Sequence, residues 1–357
     1  MWNMRGELSV RCHHFRGARG AAVITDPILT SVKMLEINVS DVIEEKRTQY
    51  MTVQKRFNPE QHYTIQELYP PADVRRIKRK YLDIPYAHLS SAQKLDIYLP
   101  DTGEGPFPVI LSLHGGAFMG GDKADAQLMP MLEGLKRGYA VVAANYRLSW
   151  EAIFPALVHD VKAVVRWIRA NVHQYHFDPA KIAAWGGSAG GYLSAMLGTS
   201  AGVEELEDLT LGNPNQLCNV QAVVVWYGPT DFLKMDAQLT ERGMPPEAGM
   251  EHSGANSPES LLLGRQITNI PELVKAANPE TYVTPAIPPF LLQHGTKDAT
   301  VPVQQSIELA TKLRQVIGDD RVRLELIEDA EHVDPKFLTP ENVKKVLDFL
   351  DQYLRNA

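Results

Sequence analysis

The segment Gly186-Gly187-Ser188-Ala189-Gly190 places a serine between two glycines, each two residues away from it. The stretch before it, Lys181–Trp185, is apolar and strand-like, and the stretch after it, Gly191–Leu197, suits a helix. A strand, a sharp turn and a helix form the setting in which G-x-S-x-G presents a nucleophilic hydroxyl. With 25 glycines in 357 residues, the pattern arises by chance roughly 0.07 times in such a chain, so its weight comes from this setting. The helix would aim its free N–H groups and positive dipole end at any anion formed beside Ser188. A second glycine turn, His114-Gly115-Gly116-Ala117-Phe118, closes the apolar run Val109–Leu113. Glycines let the main chain approach a reacting carbonyl, so Gly115, Gly116 and Ala117 are candidate oxyanion donors alongside Ala189.

A serine hydroxyl needs a base, and the base needs a carboxylate to orient it. In the chain order serine, acid, histidine, two later turns fit. Asp298 lies just past the run Pro289–Gln293, in His294-Gly295-Thr296-Lys297-Asp298, and His332 follows Val322–Ile327. Asp231, after Ala222–Tyr227, is the rival acid and stays open at this point. Asp329 and Glu331 are too close in sequence to His332 to orient it. His294 reads as a structural hydrogen-bonding residue, and Asp160 as a partner of Arg147. The remaining histidines show no ligand spacing, so neither metal nor cofactor is expected.

To bring these residues together, the chain must supply strands ending on one edge. Eight are expected near Lys80–Tyr86, Lys94–Leu99, Val109–Leu113, Ala140–Tyr146, Lys181–Trp185, Ala222–Tyr227, Pro289–Gln293 and Val322–Ile327. The first two stand too close for an intervening helix and predict an antiparallel edge hairpin. The others alternate with helical segments, the pattern of a mostly parallel sheet in an α/β domain, where ligands bind beyond the carboxyl ends. A helix from Ala156 to about Tyr175 is expected to bury Leu157, Val161, Val164, Val165, Ile168 and Val172 and turn Lys162, Arg166 and Arg169 outward. A second amphipathic helix should run from about Pro340 to Leu354.

Residues 228–288, rich in proline, glycine and methionine, far exceed a simple crossover, and we expect them to belong to a cap. Residues 1–75 form an N-terminal extension with weak helical patterning over 37–68 and a possible share in the cap; residues 76–357 form the catalytic domain.

Net charge is −7 and the isoelectric point 5.9, which argues against a nucleic acid or an anionic membrane as partner. Cys12 and Cys218 are the only cysteines and cannot form a disulfide framework. No apolar run approaches the roughly 18 residues of a spanning helix, and the arginine-bearing start lacks a secretory core, so a soluble, cytoplasmic protein is expected. Its partner would be a small-molecule or oligosaccharide ester, and oligomers are compatible with the reading.

The two glycine motifs, with Asn145-Tyr146-Arg147-Leu148-Ser149, Tyr227-Gly228-Pro229-Thr230-Asp231-Phe232 and His294-Gly295-Thr296-Lys297-Asp298, resemble carboxylesterases of the α/β-hydrolase superfamily. The likeness is to the hormone-sensitive-lipase kind, and closer still to bifunctional acetyl-xylan and feruloyl esterases, over about residues 80–357. It implies an eight-stranded α/β-hydrolase sheet, a Ser188–His332–Asp298 triad, and an oxyanion hole from the N–H groups of Gly116, Ala117 and Ala189. It further implies hydrolysis of short acyl esters, acetyl or feruloyl groups on plant oligosaccharides among them, with amide hydrolysis as the alternative chemistry. Ala117 and Gly187 depart from the usual third glycine and aspartate of hormone-sensitive lipases.

Overall fold

A computed structural model describes residues 70–355. The N-terminal extension, apart from its last residues, lies outside that range, as does Cys12. Eight strands form one sheet: β1 Lys80–Pro85, β2 Lys94–Tyr98, β3 Phe107–Leu113, β4 Ala140–Ala144, β5 Phe177–Gly187, β6 Ala222–Trp226, β7 Phe290–Gly295 and β8 Val322–Ile327. Their spatial order is β1-β2-β4-β3-β5-β6-β7-β8. β2 runs antiparallel to both β1 and β4, and every later pairing is parallel. The edge hairpin and the parallel remainder match the sequence expectation. β5 starts earlier than expected because Phe177 pairs with Phe107 below the main register.

The central strands are buried on both faces, which is why β4 (Ala-Val-Val-Ala-Ala) and β6 (Ala-Val-Val-Val-Trp) read as unbroken apolar runs. Alternate residues supply opposite layers. Val223 and Val225 pack with the helices Ala156–Ala170, Ala189–Thr199 and Gln304–Ile317. Ala222, Val224 and Trp226 face the closing helix Pro340–Leu354 through Val343, Val346, Leu347 and Leu350. Between β6 and β7 the chain makes three short helices, Met235–Glu241, Pro258–Leu263 and Pro271–Ala277.

The helix Ala156–Ala170 differs from expectation in two ways. It ends at Ala170, and Val172–Tyr175 forms a separate turn beyond Asn171. More importantly, Lys162, Arg166 and Arg169 are buried. The connection from the end of the helix Ala189–Thr199 to β6 crosses this flank and turns carbonyls toward it. Lys162 Nζ donates to the Ser200 carbonyl at 2.6 Å and lies 3.2 Å from Glu207. Arg166 pairs with Glu207 at 2.7 Å and donates to the Asp208 carbonyl, and Arg169 reaches the carbonyls of Pro179 and Leu217. Cys218 shares this cluster: its thiol donates to Glu207 at 2.6 Å, and burial, then the carboxylate, push it up to about 11.

Asp160, on the same helix, is fully buried and pairs with Arg147 as expected. It accepts from the Arg147 backbone N–H at 2.8 Å, from that guanidinium, and from the Gln93 amide at 2.8 Å. These bonds tie the loop after β4 and the turn before β2 to the helix. Replacing Asp160 by alanine leaves Arg147 and Gln93 without their acceptor, and should cost about 3–5 kcal/mol in denaturant-induced unfolding.

Candidate active site

Ser188 follows directly on β5 and sits at φ +55°, a region that side chains rarely occupy. The strain persists because the surroundings fix it. The Ser188 N–H donates to the Trp226 carbonyl at 2.9 Å, and its own carbonyl opens the helix Ala189–Thr199 by accepting from Tyr192. The helix rises so close to β3 that a Cβ on Gly190 would lie 2.0 Å from the Leu113 carbonyl oxygen. At Gly187 a Cβ would meet the Tyr227 hydroxyl at 2.8 Å, so the tyrosine ring fills the space an aspartate side chain would need there.

The hydroxyl meets the two residues expected of it. His332 Nε2 lies 3.0 Å from Ser188 Oγ, and His332 Nδ1 lies 2.7 Å from Asp298 Oδ2. Asp298 is fully buried in the loop after β7, and its other oxygen accepts the N–H groups of Thr300 and Val301 at 2.9 and 2.8 Å. Burial pushes that carboxyl up, but the positive charge of His332 and hydrogen bonds from His294 and His332 outweigh it and hold it well below the usual carboxylate range. Asp231, the rival, pairs with Lys234 at 3.1 Å and accepts from the Leu233 N–H; the acid beside His332 is Asp298. His294 bonds Ser306 Oγ at 2.7 Å and the Val301 carbonyl at 2.8 Å, as a structural residue would, and also stands 3.3 Å from Asp298.

The oxyanion loop needs one correction. The Gly115 N–H donates to Gln127 Oε1 at 2.9 Å, so it is not available to a substrate oxygen. Gln127 is in turn held by Asp125 at 3.0 Å, and the pair pins the start of the loop. Among the described residues the N–H groups of Gly116 and Ala117 have no acceptor, and Ala189 is the first residue of its helix, where N–H groups lack intrahelical partners. Gly116, Ala117 and Phe118 all have positive φ, which curls the loop back on itself; the Gly116 carbonyl accepts from Met119 and Gly120.

Sequence reasoning missed two contributors. Gln127 acts from 12 positions away with no local pattern to mark it. Tyr227 stands one residue beyond β6, the position that bears ligand-facing residues in such sheets; its ring packs edge-on to His332 at 4.9 Å and to Phe337 at 4.5 Å. Among the described residues no His, Cys, Asp and Glu cluster could hold a metal, and no helix is long and apolar enough to cross a membrane.

A serine on a strand–helix elbow, met by a histidine and an acid from later strand ends of an eight-stranded sheet, defines an α/β-hydrolase. The family model described as BD-FAE matches residues 95–313, more than half of the chain, and the chain belongs to that family. It is 32% identical over 267 residues, 72% of its length, to the probable carboxylic ester hydrolase LipM of Mycobacterium tuberculosis, and spans 57% of that relative. It thus covers little more than half of that curated relative. Among solved structures, a truncated carbohydrate esterase from gut microbiota superposes with a TM-score of 0.70 at 28% identity, covering 79% of this chain and 99% of that one. A bifunctional GH43-CE protein of Bacteroides eggerthii gives 0.68 at 33% identity, with 77% of this chain and 35% of that one covered.

The depressed Asp298 carboxyl has a consequence for acid stability. A carboxylate with a lowered pKa in the fold stabilises above its unfolded value of about 3.9 and loses that contribution as pH falls below it. The melting-temperature gap between the wild type and Asp298→Asn should therefore narrow below about pH 4, in a thermal scan repeated across pH.

Proposed function

We propose that this chain is a serine carboxylesterase. The observation that carries the reading is the continuous hydrogen-bonded line from Ser188 Oγ through His332 to Asp298, at 3.0 and 2.7 Å. Ser188 Oγ attacks the ester carbonyl as His332 Nε2 takes its proton, and Asp298 keeps the imidazole facing the serine and stabilises its positive form. The tetrahedral oxygen is received by the N–H groups of Gly116, Ala117 and Ala189, donors of a kind worth about 3–4 kcal/mol each in the barrier. The imidazolium returns its proton to the departing alcohol. Water then enters and attacks the acyl-enzyme as His332 takes its proton, and the imidazolium returns that proton to Ser188 Oγ as the acid leaves.

For the substrate, we read short acyl esters, acetyl or feruloyl decorations of plant oligosaccharides in particular. The support is the family match and the carbohydrate esterases among the structural neighbours. The alternative, an amide-cleaving enzyme, draws on a 29% likeness to the mouse acylamino-acid-releasing enzyme over 72% of this chain. The ester reading is preferred because the more similar relative LipM and both structural neighbours are named for ester hydrolysis.

Two experiments test this. p-Nitrophenyl acetate should be hydrolysed by the wild type and not detectably by Ser188→Ala, and Asp298→Asn should lower kcat by about 10⁴-fold. Equal turnover by wild type and Ser188→Ala ends the mechanism. Acetate and ferulate release from a panel of acylated oligosaccharides, run beside matched anilides, should favour the esters; faster anilide cleavage would move the assignment to the amidase reading.

A further inference from the structure

The carboxylate of the triad is gripped by backbone, and that backbone is gripped in turn by the long β6–β7 segment. Val301 N–H, one of the two donors to Asp298 Oδ1, belongs to the same peptide unit as the Thr300 carbonyl. The two groups of a planar trans peptide point in opposite directions. While the N–H faces Asp298, the carbonyl accepts from His252 Nε2 at 2.9 Å. The other nitrogen, His252 Nδ1, lies 3.1 Å from Glu259 Oε1. Both side chains are largely buried, at 11% and 5% exposure.

The bond to the Thr300 carbonyl fixes the role of Nε2. A carbonyl can only accept, so Nε2 carries a proton and donates, while Glu259 holds the ring from its other nitrogen. Burial pushes the imidazole down, but the charge and hydrogen bond of Glu259, with Asp236 and the Thr300 carbonyl adding to them, raise it overall. His252 therefore stands wedged between the Glu259 carboxyl group and the Thr300 carbonyl. Its own main chain is fixed as well: Asp236, on the helix Met235–Glu241, accepts the N–H groups of His252 and Ser253 at 2.7 and 2.8 Å. On the near side of Asp298, Arg242 donates to the Thr296 carbonyl, so the segment holds the acid loop at two carbonyls that flank Asp298. A donor on a peptide carbonyl polarises the unit and strengthens its N–H as a donor.

We propose that His252, backed by Glu259, is a positioning residue for the triad: by anchoring the Thr300–Val301 peptide it aims the Val301 N–H at Asp298 and so sets the carboxylate against His332. This rests on the hydrolase reading above. The relay runs Glu259, His252, peptide 300–301, Asp298, His332, Ser188, and only its last three members take part in the chemistry.

The test measures p-nitrophenyl acetate turnover per active site, counted by fluorophosphonate titration so that unfolded molecules drop out. His252→Phe, which fills the space without a donor, should lower kcat about tenfold with KM within about twofold, since small misplacements of a catalytic group cost rate rather than binding. His252→Gln, whose amide can still donate to the Thr300 carbonyl, should recover most of that loss. Wild-type kcat in His252→Phe, or a kcat in His252→Gln as low as in His252→Phe, overturns the proposal. If His252→Phe does not fold, Glu259→Gln carries the test, with kcat expected to fall about threefold and an unchanged kcat refuting the relay. Ser188→Ala in the same series separates the two readings: its failure to abolish turnover strikes the hydrolase assignment and this proposal with it, whereas a normal Ser188→Ala control with unaffected His252 variants strikes the relay alone.

Discussion

The close approach of three main chains around residue 188 is the constraint from which the rest of the site follows. β3 ends at Leu113, β5 ends at Gly187, and the helix Ala189–Thr199 begins between them with no room for a Cβ at Gly190. That crowding keeps Ser188 in a backbone conformation it would not otherwise hold. It also sets the glycine loop 114–118, which leaves β3, beside the N-terminus of the helix that follows the serine. Hydroxyl and candidate donors are therefore placed by a single packing arrangement of strand ends, before any side-chain bond is made.

Around this fixed point the loops serve different ends. The turn after β3 is pinned by Gln127 at Gly115, which uses one N–H and leaves the next two open. The turn after β6 supplies an aromatic wall against His332. The turn after β7 wraps a buried carboxylate in main-chain donors, and the turn after β8 carries the imidazole that meets it. Charge near the core is enclosed: Asp298, Asp160, Lys162 and Arg166 are buried with partners, the last two beside a half-buried Glu207, the condition under which buried ions are tolerated.

How much of this could be read from the residues depends on the range of each signal. Strands such as β4 and β6, apolar end to end, and the elbow Gly186–Gly190 are local patterns, and they lie where expected. Ser188, Asp298 and His332 share a second property, a place just past a strand end, so the rule that ligands collect at the carboxyl edge brings them together on paper as it does in space. The errors are long-range. Periodicity turns Lys162, Arg166 and Arg169 to solvent because it sees a helix against a sheet and cannot see a later connection crossing the far flank. Gly115 and Gly116 look alike as adjacent glycines in sequence, whereas the Gly115 N–H is taken by a side chain 12 positions on. Asp231 and Asp298 are equivalent as sequence, each after a strand; what separates them is that Lys234 holds one and His332 the other.

Since Asp298 Oδ1 is held by the peptide N–H groups of Thr300 and Val301 and not by their side chains, the choice of residue at those two positions is unusually open. Any amino acid at 300 offers the same amide, so drift there is silent to the carboxylate, with one exception: proline, at either 300 or 301, deletes a donor outright. A comparison of related chains that scores side-chain identity would pass over these positions, although Asp298 leans on both.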